Sequence, residues 1–223
     1  MKRIVARELM DDAGVDTRDL AGNFGEIEQA NRHFGGVRPV VRDVLGREAR
    51  TVLDVGCGSG DVARALLRAA GERGITLEVT ASDYSDAVLD IARARSAGAP
   101  IRFERADARA LPYADGAFDV ATCNLALHHF EPAEAVAVLR ELRRVSRLTP
   151  LVSDLVRSWA GYAAAWAFAH LIARNRLTRH DAPLSVRRAY TPAEILELAG
   201  RAGWTAPVVR RSPYFRMLVT DGA

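Results

Sequence analysis

The run Thr51-Val52-Leu53-Asp54-Val55, leading straight into Gly56-Cys57-Gly58-Ser59-Gly60, constrains this chain more than any other segment. Apolar and β-branched residues favour an extended strand, and glycines at alternate positions let the backbone turn sharply and approach a ligand without Cβ clashes. Val62 to Glu72 is helical in pattern, which completes a strand–turn–helix unit. A dinucleotide loop would need its third glycine at position 61. That position is Asp61, an anion where a pyrophosphate would have to approach. The loop suits a ligand without phosphates at this point.

The same rhythm repeats along the chain. Strands are predicted at Ile75 to Ala81, Ile101 to Phe103, Phe118 to Thr122 and Leu148 to Ser153, with helices at Ser85 to Ala97 and Pro132 to Val145. Alternation of this kind implies βαβ units, a mostly parallel sheet covered by helices on both faces, and ligands at the carboxyl ends of the strands. Val208 to Arg210 and Phe215 to Val219 alternate as two closing strands, which brings the sheet to seven. Before the first strand, Glu8 to Gly36 reads as one or two short helices and Val40 to Glu48 as another. After the fifth strand, Leu155 to Leu177 reads as a helical insert. Thr191-Pro192-Ala193-Glu194 then opens a helix with Thr as N-cap, Pro in the first turn and Glu three residues on. The expected organisation is a helical cap over residues 1–40 and one α/β domain over 41–223, with the insert at about 155–190.

Composition narrows the partners. Of the 223 residues, Lys2 is the only lysine, the net charge is +3, and the arginines are interspersed with acids, as in Arg140, Glu141, Arg143 and Arg144. Such spacing describes solvated helix faces rather than a nucleic-acid surface. Cys57 and Cys123 lie in apolar stretches, which points to a reducing cytoplasm and no disulfide framework. No apolar signal core follows Met1-Lys2-Arg3-Ile4. The longest uncharged run, Ser158 to Ala173, falls short of the roughly 20 residues of a bilayer span.

Two further strand ends carry carboxylates. Asp83 closes the second strand, where it can accept from both hydroxyls of a ribose, and Tyr84 beside it offers an aromatic face to a purine. After the third strand, Asp107 can accept from an exocyclic amine and Ala108 can offer its backbone amide. Taken alone, Asp83 could equally cap the next helix.

Together with Phe118-Asp119-Val120 and Asn124-Leu125-Ala126-Leu127-His128-His129-Phe130, these segments make residues 50 to 155 resemble the class I S-adenosylmethionine-dependent methyltransferases. The resemblance is closest to the branch of ubiquinone and menaquinone biosynthesis methyltransferases. It implies a Rossmann-like α/β fold and S-adenosylmethionine as cofactor, with Gly56, Gly58 and Gly60 around the methionine moiety and Asp54 and Cys57 in the same motif. It further implies Asp83 and Tyr84 at the ribose and adenine, Asp107 and Ala108 at the adenine, and Asn124 and Leu125 between cofactor and acceptor. Glu8-Leu9-Met10-Asp11-Asp12, Asn31 to Gly36, Asp154 to Ser158 and Arg179 to Arg188 resemble methyltransferases found beside bacterial type III polyketide synthases. The family's usual Pro-Gly-Gly turn before the fifth strand is replaced by Ser146-Arg147-Leu148-Thr149-Pro150.

Methyl transfer to a phenol needs a nucleophile positioned near the methyl carbon and a proton acceptor. The candidates are His128, His129, His180 beside Asp181, and Asp154; no metal is expected. The turn Asn124-Leu125-Ala126-Leu127 lacks the Asn/Asp-Pro-Pro-Tyr pattern of amino-group methyltransferases. Trp159, Tyr162, Trp166 and His170 share one helical face, read as core, or else as a pocket for an aromatic or lipophilic acceptor. The expected reaction is O-methylation of a phenolic or polyketide-type small molecule beneath a helical lid. C-methylation of a quinol ring is the nearest alternative, followed by a non-catalytic cofactor-binding protein.

Overall fold

The computed structural model describes residues 1–12 and 14–222. Seven strands form one sheet: β1 (Thr51–Val55), β2 (Glu78–Asp83), β3 (Ile101–Arg105), β4 (Phe118–Asn124), β5 (Ser146–Leu155), β6 (Pro207–Ser212) and β7 (Arg216–Asp221). Their spatial order is β3-β2-β1-β4-β5-β7-β6, parallel except for β7, which runs antiparallel to both neighbours. Chain order reverses between β1 and β4, so a crevice opens at their carboxyl ends.

Side-chain alternation decides which helices cover which face. Leu53, Val55, Ala121, Cys123, Val152 and Val219 face the side packed by α5 (Pro132–Val145) and α8 (Pro192–Arg201). Val52, Val79, Val120, Leu151 and Leu218 face α2 (Arg38–Gly46) and α3 (Asp61–Gly71) on the other. A smaller cluster joins Leu20 and Phe24 of α1 (Thr17–His33) to Val88 and Ile91 of α4 (Asp86–Arg95).

Helix starts follow local chemistry. Asp16 caps α1 by accepting from the amides of Arg18 and Asp19. Thr191 and Glu194 form the capping box expected at α8, and Glu131 and Glu134 form another at α5. The Glu8–Gly36 region holds a short 3-10 turn, Leu9–Asp11, and then one long helix rather than two short ones.

The helical insert follows β5. Within it lie two helices, α6 (Trp159–Leu171) and α7 (Arg176–Arg188). Asn175 breaks it, because its side chain accepts from the amide of Leu177 and caps α7. Where the Pro-Gly-Gly turn is missing, α5 runs into a ten-residue β5 without a loop. Ser146 makes that join: its hydroxyl donates to the Leu142 carbonyl at 2.6 Å and accepts from the Ala121 amide at 3.0 Å. The N-terminal segment is fastened across the lid by Arg3, which bonds the carbonyls of Arg188 and Phe130 and pairs with Glu131.

Candidate functional site

The crevice at the β1/β4 switch is one cavity of about 870 Å³, roofed by α1, the N-terminal segment, α6 and α7. That volume lies near the upper end for a small-molecule site, enough for two ligands side by side.

At one end lies the glycine loop. Gly56, Gly58 and Gly60 all have φ between +52° and +75°. A Cβ on Gly56 would lie 2.8 Å from Ala126 Cβ, and one on Gly58 would lie 3.0 Å from the Phe24 ring. Only glycine fits both the conformation and the space. The loop is tied to β2 by the Cys57 amide on the Ser82 carbonyl at 2.9 Å, and by the Gly58 amide on Asp83 Oδ2 at 3.2 Å. Asp83 Oδ1 accepts from the Ser85 amide at 3.1 Å, so this carboxylate both braces the loop and lines the cavity.

Three carboxylates surround this loop. Burial pushes Asp54, Asp61 and Asp83 above the usual carboxylate range, and Asp54 is raised further by the charges of Asp61 and Asp83. Neither oxygen of Asp54 has a hydrogen-bond partner among the described residues. Asn31 Nδ2 donates to Asp61 at 2.8 Å. A cation brought between these crowded carboxyls relieves the repulsion among them, whereas a phosphate adds to it.

Gly56, Cys57, Gly58, Asp83, Tyr84, Asp107, Ala108, Asn124 and Leu125 all line the cavity, so the sequence candidates converge. Asp54 and Gly60 stand behind that lining: Asp54 is buried in β1, and Gly60 caps α3. Tyr84 is largely exposed, with the Arg105 guanidinium 5.3 Å from its ring centre. Asp107 is engaged by Arg109, whose side-chain bonds hold its carboxyl below the usual range. Leu125 takes a left-handed conformation (φ +53°) although it has a Cβ, and its amide donates to the Ser153 carbonyl. Cys57 and Cys123 are free thiols, and burial pushes both up, away from nucleophilic character.

The other end of the cavity is a polar cluster. His128, 3% exposed, is held at two points by Asp154: its amide donates to Oδ2 at 2.9 Å and its Nδ1 lies 2.7 Å from Oδ1. Burial alone would raise the Asp154 carboxyl, but the His128 imidazole and the amides of Leu155 and His128 hold it low. An ionised carboxylate only accepts, so His128 Nδ1 carries a proton and donates it to Asp154. Burial would lower His129, yet Glu8 and Asp11 outweigh it and hold His129 up at about 9. Glu8 Oε1 lies 3.7 Å from His128 Nε2, and Oε2 lies 3.7 Å from His129 Nε2. Glu8 also accepts from the Ser185 hydroxyl at 2.9 Å and faces Arg188 at 3.5 Å. Glu8, His128 and His129 are the described residues whose donor atoms come close enough to hold a cation, all within 4.8 Å. Arg188 already brings positive charge to that carboxylate.

Of the proposed proton acceptors, His128 and His129 line the cavity, and Asp154 stands behind His128. His180 does not join them. Its side chain is half exposed on the outside of α7, while its neighbour Asp181 turns inward and accepts from the amides of Leu9 and Met10. Glu8, Asp11, Arg188 and Phe24 are site residues that motif reading did not single out. For Glu8, Asp11 and Arg188 the one sequence signal was their place in the two end segments that resemble known methyltransferases; Phe24 had none.

The Trp159–Tyr162–Trp166–His170 stripe is neither core nor pocket. Trp159 is 70% and Trp166 47% exposed, and the opposite face of α6, with Gly161, Ala165 and Phe168, lines the cavity. None of the described helices is long and apolar enough to cross a membrane.

Comparison with known proteins agrees with this geometry. The methyltransferase domain family matches residues 52–148. Over 119 residues the chain is 40% identical to a demethylmenaquinone methyltransferase of Deinococcus radiodurans, covering 52% of this chain and 46% of that protein. It is 38% identical over 110 residues to the one from Thermus thermophilus, covering 48% and 47%. The chain thus spans about half the length of these relatives. Among solved structures, an S-adenosylmethionine-dependent methyltransferase from Aquifex aeolicus superposes with a TM-score of 0.65 at 17% identity, covering 92% and 97% of the two chains. Human N-acetylserotonin methyltransferase, in complex with S-adenosylmethionine, gives 0.68 at 13% identity, covering 92% and 56%. Residues 52–148 are similar to the methyltransferase domain family, and the fold is that of the class I S-adenosylmethionine-dependent methyltransferases.

Proposed function

We propose that this protein is a cytoplasmic methyltransferase that moves a methyl group from S-adenosylmethionine to a lipophilic, hydroxylated aromatic small molecule. The observation that carries the reading is the acidic cradle of Asp54, Asp61 and Asp83 around a Cβ-free loop. S-adenosylmethionine carries one more positive than negative charge and no phosphate, whereas a dinucleotide is an anion. The two free, buried cysteines fit a reducing compartment.

Gly56 and Gly58 would meet the methionine moiety, Asp83 the ribose hydroxyls, and Asp107, Ala108 and Tyr84 the adenine. When bound, the cofactor supplies an electrophilic methyl group on a sulfonium, open to in-line attack. His128, oriented by Asp154, accepts the acceptor's hydroxyl proton at Nε2. His129, protonated between Glu8 and Asp11, places positive charge beside the developing phenolate. Asn124 and Leu125 would lie between cofactor and acceptor, beneath the roof of α6, α7 and the N-terminal segment.

The methyl group goes to the ring oxygen in this reading. The demethylmenaquinone methyltransferases among its relatives favour a second one, transfer to a quinol ring carbon, for which the same base serves. Calorimetric titration with S-adenosylhomocysteine and, separately, NADH tests the cofactor assignment. S-adenosylhomocysteine is expected to bind and NADH not; NADH binding at equal strength would overturn it.

A further inference from the structure

Helix α6 has the sequence WAGYAAAWAFAHL, thirteen residues with no Asp, Glu, Lys or Arg. A helix apolar on all sides is ordinarily buried, yet α6 gives only its inner face to the cavity. Outside, Trp159 is 70% and Trp166 47% exposed, and Leu171 and Ile172 at its end are 78% and 64% exposed. The outer aromatics are ordered against one another: Trp166 stacks on His170 at 4.4 Å, and Trp159 meets Tyr162 edge-on at 6.4 Å.

A second element points the same way. In the turn between β6 and β7, Tyr214 and Phe215 have φ of 58° and 59°, a region glycine and asparagine usually fill. Two successive large aromatics in that strained turn are 57% and 43% exposed. Phe215 packs on Gly161 of α6, and Tyr214 lies 5.2 Å from Phe34 across the cavity rim. Both line the cavity as well, so the apolar surface is continuous with its mouth.

The charge beside this surface is positive. Arg174, Arg176 and Arg179 follow α6 directly, all exposed; of their guanidinium groups only that of Arg176 has an acidic partner among the described residues, Asp19 at 2.6 Å, and Glu26 accepts from the Arg174 backbone amide. Aromatic rings with arginines at their margin are the composition that rests in a lipid headgroup layer. A second copy of the chain fits less well. A helix of thirteen residues is about 20 Å long, and one face of it covers on the order of a few hundred Å², short of the roughly 800 Å² per partner of a stable dimer.

We propose that the outer face of α6 and the β6–β7 turn dock on an anionic membrane surface, so that a lipophilic acceptor passes from the lipid into the cavity. This rests on the reading of the acceptor as lipophilic. The test is sedimentation of the full chain with vesicles of phosphatidylcholine alone and of phosphatidylcholine with phosphatidylglycerol, with tryptophan emission read in parallel. Trp204 is buried and supplies a constant background. The expected result is at least roughly tenfold tighter binding to anionic vesicles, weakened by salt, with a blue shift of emission. Trp159→Ser with Trp166→Ser should abolish the shift, and Arg174→Glu with Arg179→Glu should remove the anionic preference. Both variants should still bind S-adenosylhomocysteine, which shows that they fold and separates failure here from failure of the methyltransferase reading. No binding to anionic vesicles, binding indifferent to the tryptophan pair, or a dimer that those substitutions dissolve would each overturn the proposal.

Discussion

Replacement of Asp83 by asparagine probes the cofactor site with a magnitude the geometry sets. Each carboxylate oxygen already accepts one amide, from Gly58 at 3.2 Å and Ser85 at 3.1 Å, and each has a lone pair left for a ribose hydroxyl. In Asp83→Asn one oxygen becomes an amide nitrogen, which faces a backbone N–H donor to donor and cannot accept from the ribose. One charge-assisted bond is lost and the other becomes neutral, together worth about 3 kcal/mol, or roughly 100-fold in Kd. Stability should respond differently. Burial raises the Asp83 pKa, so its favourable contribution is present at low pH and lost as pH rises through the folded-state value. At neutral pH the substitution removes that penalty, which offsets the weakened amide contact, and the melting temperature should stay within about 4 °C. Calorimetry with S-adenosylhomocysteine and a thermal melt read the two quantities separately. Binding within about threefold of the parent, in a variant that melts normally, would refute the assignment of Asp83 to the ribose.

Two more predictions concern the polar end. Asp154→Asn turns one of the two accepting oxygens into an amide donor, so the His128 amide and Nδ1 no longer both find an acceptor and the tautomer is no longer fixed. The kcat should fall roughly 100- to 10,000-fold while S-adenosylhomocysteine binding stays unchanged; an unchanged kcat would remove His128 from the proton path. His129 is held at about 9 against an ordinary 6.5, so its contribution to stability, on the order of 3 kcal/mol, is full below pH 6 and is lost as pH rises through 9. Melts between pH 6 and 10 should show that decline, and Glu8→Gln should flatten it; a parent profile already flat would contradict the ion-pair account.

Much of this site was legible because local backbone chemistry dictated it. Gly56 and Gly58 must be glycine to reach their φ values, and Thr191 and Glu194 must cap α8, wherever the rest of the chain goes. What the sequence hid depends on tertiary packing. Glu8 and Arg188 lie 180 positions apart in number and meet only once the N-terminal segment crosses α7. His180 and Asp181 are neighbours whose side chains meet at 2.7 Å, yet only Asp181 lines the cavity, so adjacency could not tell which one serves it. The aromatic stripe of α6 misled for a related reason. A helix apolar all round gives no periodic contrast, and periodicity therefore could not say which face turns inward. The break at Asn175 lies just past the uncharged run, between Arg174 and Arg176, and was set by one capping side chain.

The most direct measurement is transfer of label from methyl-labelled S-adenosylmethionine to pooled long-chain phenols and quinols, with total RNA alongside and the product's methylated atom identified. The account predicts label in the phenol or quinol pool, greatly reduced in Asp83→Asn and Asp154→Asn. Label in RNA alone, or none anywhere despite tight S-adenosylhomocysteine binding, would contradict it.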